Sequence, residues 1–239
     1  MSFYVIDHIE QGTSEWLKWR KGVIGASDAP VIMGENPWKS SRRLIEEKLG
    51  LHREWGGNAA TREGQRLEVA ARNEIAKVFN KRLIPTIVQD SHAPHLAASL
   101  DAIDTGYSQI FEIKAGVKAY EVANRTGKVP NYYVGQLQHM MMVTELESLI
   151  FVAYRPSVPL VILEIPRDEE YINRLRIKVT AFIQELSSRG HPIQKKFVGN
   201  LVTETKLGEP SSVAKPAPLR SWRDLWKASP ETRGFPEDQ

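Results

Sequence analysis

Apolar residues recur at helical spacing in two long stretches of this chain and at strand spacing between them. Leu67, Ala70, Ala71, Ile75, Val78 and Phe79 predict a helix over 61–82. Tyr171, Leu175, Val179, Phe182 and Leu186 line one stripe of another over 168–189, closed by Gly190. Between these helices the period shortens. Residues 83–88, 96–101 and 110–115 predict three strands, with Asp104-Thr-Gly-Tyr-Ser108 as the turn between the last two. A helix over 132–144, capped by Asn131, comes next. Residues 148–154 and 160–165 then predict two more strands, separated by Arg155-Pro-Ser-Val-Pro159. Ahead of all this lie three shorter helices. The first covers 14–21 behind a Thr13 cap. The second follows the turn Gly22-Val-Ile-Gly-Ala-Ser27, with Ser27 or Asp28 as cap, Pro30 in the first turn and Gly34 at the end. The third runs from Ser40 or Ser41 to Gly50.

Helices and strands in this order point to an α/β (α+β) domain with a central sheet, and 239 residues suit one such domain. From 202 onward the pattern dissolves. Pro210, Pro216, Pro218, Pro230 and Pro236 punctuate a polar stretch, so we divide the chain into a domain over 1–201 and a Pro-rich tail over 202–239. Trp222, Leu225 and Trp226 share one face of a short helix in that tail. They are expected to dock on the protein's own surface, the alternative being an anchor for a partner.

Composition narrows the chemistry. With no cysteine, disulfides, thiolate metal sites and cysteine nucleophiles are excluded. No apolar run is long enough to span a bilayer, and residues 1–10 lack the basic and apolar regions of a signal peptide. No membrane partner and a cytoplasmic location, in a bacterial or phage-infected cell, are therefore expected. The net charge is +3, and residues 1–82 carry 14 Lys/Arg against 11 Asp/Glu. That small excess fits a solvated surface as well as it fits a phosphate-binding patch.

The informative chemistry lies on two of the predicted strands, in Ser99-Leu-Asp101 and Phe111-Glu-Ile-Lys114. Residues two apart on a strand share a face, so Glu112 and Lys114 point together while Phe111 and Ile113 point into a core. Pairing the two strands as a hairpin sets Asp101 beside Glu112. Two carboxylates held together on a partly buried sheet repel each other, and a divalent cation relieves that repulsion. Hard cations with oxygen ligands, a bound water and a nearby ammonium are what phosphodiester hydrolysis requires. Spacing alone fits a solvated Glu-x-Lys face equally well. The apolar flanks and a further acid, Glu68, at the edge of the 61–82 helix stripe favour chemistry, with Glu63 and Glu74 as competitors further from that stripe.

These segments resemble the phage lambda-exonuclease family, the YqaJ-like viral recombinases, a branch of the restriction-endonuclease-like PD-(D/E)xK superfamily. The likeness runs from about residue 12 to 197. It rests on Trp16-Leu-Lys-Trp-Arg-Lys-Gly-Val-Ile-Gly-Ala-Ser27, Gly64-Gln-Arg-Leu-Glu68-Val-Ala-Ala-Arg, the Asp101/Glu112/Lys114 constellation, and Gln136-Leu-Gln138. Where the family commonly carries Pro-Asp-Gly, this chain has Leu100-Asp101-Ala102, which alters the turn expected after the aspartate.

The resemblance implies a central mixed β-sheet flanked by helices, in a homotrimer threaded by double-stranded DNA. It implies processive 5′→3′ digestion from DNA ends, leaving a 3′ overhang for a single-strand annealing protein. Magnesium, or manganese in its place, is implied as cofactor, with two ions per site. Asp101, Glu112 and the Ile113 carbonyl are then the metal ligands, with Glu68 holding the second ion. Lys114 positions the water, Gln138 joins the catalytic group, and Gln136 contacts water or DNA, although spacing does not decide between the two glutamines. Arg20 and Ser27 are implied to hold the 5′-terminal phosphate, and Ser27 also serves as a helix cap. His139 reads equally as an ordinary helix position. An endonuclease or junction resolvase with the same metal core, and a non-catalytic DNA-binding protein on the same fold, are the alternatives.

Overall fold

A computed structural model gives the structure of the protein and describes residues 2–52 and 59–193. The tail and its tryptophans lie outside those residues. Seven strands form one mixed sheet. They are β1 (Phe3–Ile6), β2 (Ile24–Gly25), β3 (Leu83–Asp90), β4 (Leu96–Asp104), β5 (Ile110–Ala115), β6 (Ser148–Tyr154) and β7 (Val161–Pro166). Their spatial order is β1-β3-β4-β5-β6-β7, with β2 attached to the start of β4. The β5–β6 and β2–β4 pairs are parallel and the rest antiparallel.

Both faces of the sheet are covered, and the side-chain alternation of β6 shows how. Leu149, Phe151 and Ala153 enter a large core, and Ile150, Val152 and Tyr154 a smaller one. The large core is closed by α2 (Ala29–Met33), α3 (Ser41–Lys48), α5 (Val117–Thr126), α6 (Asn131–Thr144) and α7 (Glu169–Ser188). The smaller is closed by α4 (Ala59–Val78), through Ala71 and Ile75. A strand covered on both sides needs a near-continuous apolar run, which β6 has. The remaining helix, α1 (Ser14–Lys21), buries none of its residues; Thr13 caps it by accepting from the Trp16 N–H.

The architecture expected from the sequence is present, with four adjustments. β1 and α5 were not anticipated. The turn 22–28 contains β2 and a 3-10 turn, Ala26–Asp28. Helix α6 starts one residue early, with Pro130 rather than Asn131 at the cap position. And β4 runs on to Asp104, whose carboxylate accepts from the Ser108 and Gln109 N–H groups and so builds the turn into β5.

Helix α6 carries the glutamines and is buried almost all round, with Leu137 and Met140–Val143 fully inaccessible. It crosses α2 at Gly135. A Cβ there would lie 2.9 Å from Tyr171 Oη, 3.0 Å from Pro30 N and 3.1 Å from Pro30 Cα. The neighbour is backbone, which cannot move aside cheaply. One residue beyond this crossing is Gln136.

The turn before α2 is held by a buried ion pair. Lys48 Nζ lies 2.7 Å from Asp28 and also donates to the Arg20 and Val23 carbonyls. Burial works against the Asp28 carboxylate. The Lys48 ammonium, with Arg20 behind it, outweighs that and holds Asp28 below the ordinary carboxylate range. Asp28 in turn accepts from the Gly25 N–H, so the segment bearing Arg20 and Ser27 is tied at several points.

Two stability predictions follow from this packing. Gly135→Ala gains helix propensity but overpacks the α2–α6 crossing, and is expected to cost about 1–3 kcal/mol net, read as a lowered urea midpoint. His139 is fully buried, and its Nε2–H donates to the Ala97 carbonyl at 3.0 Å. Burial pushes its pKa down to about 4. Its contribution is fully present above the ordinary value near 6.5 and is lost as the pH falls through 4, a loss on the order of 3 kcal/mol. Urea melts at pH 7.5 and 4.5 are expected to differ less in His139→Gln than in the parent; an equal pH effect in both would refute the assignment.

Candidate active site

The site forms where β4 and β5 part company. They pair only at Ala102↔Phe111 and Ile103↔Ile110. Asp101 and Glu112 would form the next pair, but the ladder stops and the Asp101 carboxylate takes its place, accepting from the Ile113 N–H at 2.8 Å. On the other side of β4 the register with β3 slips by one. Ile84 faces Ile103 and Thr86 faces Leu100, so Asp101 and Ala102 together oppose the single residue Pro85. Proline has no N–H to give a ladder, and the extra residue on β4 is the bulge that results.

Side chains satisfy the backbone groups around this bulge. Gln11 donates to the Thr86 and Leu100 carbonyls at 3.2 and 3.1 Å. Arg72 Nε donates to the Asp101 carbonyl at 2.8 Å and its Nη2 pairs with Glu68. Trp16 Nε1 donates to Ser99 Oγ at 2.9 Å. Asp101 is thus braced by the N-terminal segment and by α4.

Glu112 has no solvent exposure at all. Its Oε1 accepts from Lys114 Nζ and from Gln136 Nε2, the latter at 2.7 Å, while its Oε2 has no partner. Burial first, and then the charge of Asp101, push its pKa up to about 8. The same two causes push Glu68 up to about 7. For Lys114, burial favours the neutral amine, but Glu112 and Asp101 outweigh it and keep the ammonium. Its Nζ also lies 4.8 Å from the Tyr133 ring centre. Lys114 thus stands beside Glu112 as an ammonium that donates to its Oε1.

Arg20, Ser27, Glu68, Asp101, Ile113, Lys114 and Gln136 all line one cleft of about 810 Å³. Arg20 Nη2 donates to Ser27 Oγ at 2.9 Å, and its guanidinium lies 4.5 Å from the Trp16 ring centre. Gln138 is not brought to the cleft. Its Nε2 donates to the Pro166 carbonyl and its Oε1 accepts from the Asp168 N–H, so it fixes the entry to α7. Residues two apart on a helix lie about 200° round from each other, so Gln136 and Gln138 cannot share a face. Glu63 pairs with Arg66, and Glu74 accepts from Tyr154, so neither competitor reaches the site. Arg72, Tyr133 and Gln11 are additions. The first two were legible as spacing: Arg72 lies four residues after Glu68, and Tyr133 three before Gln136.

No group of three or more His, Asp or Glu among the described residues is assembled as a closed metal cage. The donor set is instead an open one. Lys114 meets one oxygen of the buried Glu112 carboxylate, and the other oxygen, beside the second carboxylate of Asp101, is left without a hydrogen-bond partner. Hard oxygen donors with room for water suit a cation such as magnesium, which keeps several waters and uses few carboxylates.

Comparison with known proteins bears on the family and the fold. YqaJ of Bacillus subtilis is 30% identical over 172 residues, covering 70% of this chain; the chain spans 54% of that relative's length. The alkaline exonuclease LHK-Exo of Laribacter hongkongensis superposes with a TM-score of 0.65 at 25% identity, covering 78% of this chain and 99% of that one. A phage-related exonuclease from Haemophilus somnus shares the fold, with a TM-score of 0.50 at 15% identity, over 74% of this chain and 95% of that one. The YqaJ-like viral recombinase domain matches residues 15–147. With that match running from α1 through the site to the end of α6, the chain belongs to the YqaJ-like viral recombinase family and has the alkaline-exonuclease fold.

Proposed function

We propose that this protein is a metal-dependent nuclease that digests linear double-stranded DNA from its 5′ ends, leaving a 3′ single strand. The observation that carries the reading is the pairing of Asp101 with a buried Glu112 whose free oxygen calls for a cation, beside a lysine held as an ammonium. The family and the likeness to an alkaline exonuclease support a nuclease acting on DNA.

Asp101, Glu112 and the Ile113 carbonyl would hold magnesium, or manganese in its place, with Glu68 toward a second ion. Such an ion neutralises phosphate charge and acidifies a coordinated water. The chain's own groups do the rest. Lys114 donates to the attacking water or to the phosphoryl oxygens as charge develops there. Gln136, already bonded to Glu112 and lining the cleft, holds that carboxylate in place. Arg20 and Ser27, joined to each other and backed by Trp16, offer a cation and a hydroxyl to a terminal phosphate. A trimeric ring and an annealing partner for the 3′ strand complete the reading.

The test is a duplex labelled at one 5′ or one 3′ end, with and without 5′ phosphate, run against a closed circle in magnesium. Release of label from the 5′ end, faster with the phosphate, and an intact circle are expected. Cutting of the circle would replace the exonuclease reading with an endonuclease one; no digestion in magnesium or manganese would end the enzymatic reading. In the same assay Asp101→Asn is expected to lower the rate by about a thousandfold. Its DNA binding, followed by anisotropy, should stay close to the parent's.

A further inference from the structure

A second group of aromatic side chains lies in the same cleft and takes no part in the chemistry above. Trp38 is 67% exposed, a high value for the most apolar-rich side chain. It is nevertheless held in place. Asn36 Oδ1 accepts from the Trp38 and Lys39 N–H groups at 2.8 and 2.9 Å, fixing the turn between α2 and α3. The edge of the Trp38 ring meets Tyr132, with centroids 4.9 Å apart at 76°. Tyr132 meets Tyr133 at 4.6 Å, and Tyr133 lies under Lys114. Lys118 Nζ, at the start of α5, stands 5.9 Å from the Trp38 ring centre. The rings thus form an unbroken row from solvent to the catalytic lysine.

We propose that Trp38, with Tyr132 and Lys118, is a stacking site for an unpaired base of a DNA strand passing through the cleft. The inference rests on the nuclease reading. An exonuclease that removes one strand from a duplex end unpairs bases near the scissile phosphate, and an unstacked base needs a new surface. Aromatic faces accept any base, and an adjacent cation meets the neighbouring phosphate. Trp38 supplies a flat face; the backbone of its turn is held by Asn36 and its ring rests against Tyr132, so less conformational freedom is lost on binding. Tyr132 supports it from the side, and Lys118 supplies the charge. Because stacking does not read hydrogen-bond edges, the site suits an enzyme that must accept every sequence.

The experiment measures anisotropy of a labelled single-stranded oligonucleotide, with calcium in place of magnesium to block cutting. Trp38→Ala is expected to weaken binding roughly tenfold, while Trp38→Phe keeps most of the affinity. Scanning one abasic nucleotide along the oligonucleotide should find a position that weakens the parent and leaves Trp38→Ala unchanged. Unaltered affinity in Trp38→Ala, or an abasic effect that persists in it, overturns the stacking site while leaving the nuclease reading intact. A change in sedimentation of Trp38→Ala at equal protein concentration also overturns it, because Trp38 would then be a contact between copies. Failure of the parent to bind single-stranded or duplex DNA would bring down the nuclease reading itself.

Discussion

Glu112 is a carboxylate with no access to water, and the surrounding structure is organised around tolerating it. Burying such a group without partners costs several kcal/mol. Three things limit that cost. Lys114 lies two residues along the same strand and faces the same way. Gln136 reaches down from α6 with a second hydrogen bond. And the pKa rises to about 8, so the group can shed its charge when no cation is present. The position of α6 follows from the second of these. Gln136 reaches Glu112 only because Gly135 lets the helix lie almost against the backbone at Pro30.

Asp101 solves a different problem by a different device. Its carboxylate takes the place of a ladder bond by accepting from the Ile113 N–H, which regular pairing of β4 with β5 at this position would leave no room for. Pro85 removes a ladder bond on one side and the β4–β5 pairing ends on the other. The backbone groups so released are met by Gln11, Arg72 and the aspartate itself. A local failure of sheet regularity thereby becomes a rigid feature, since nearly every group it frees is taken up again.

Much of this was legible in the sequence, and the reasons are physical. Five of the strands and most of the helices announce themselves through periodicity and caps, as with Thr13 on α1 and the apolar stripe of α7. Strand alternation puts Glu112 and Lys114 on one face, but spacing alone fits a solvated face as well, and the grouping with Asp101 rests on the apolar flanks, Glu68 and the family resemblance. β1 and α5 escaped because each buries few positions: α5 only Ala119, Tyr120 and Ala123. The choice between Gln136 and Gln138 could not be made, because α6 is buried on nearly every side and its hydrophobic pattern marks no single face. The bulge was also hidden. Pro85 is visible in the chain, but which residues of β4 it would face depends on a register that only the folded sheet sets.

The short strand β2 has one more consequence. Gly25 pairs in parallel with Ala97, and Asp101 lies four residues further along that same β4 strand. The span between the two points is therefore roughly 13 Å of nearly inextensible backbone. Ser27 stands two residues past one end of that span and the Asp101 carboxylate stands at the other. Distance in this protein is kept by counted residues along β4, in the way a ruler keeps it by its graduations. Under the proposed function, in which a terminal phosphate is held at one mark and the strand is cut at the other, the size of the excised unit becomes a property of the sheet rather than of the chemistry.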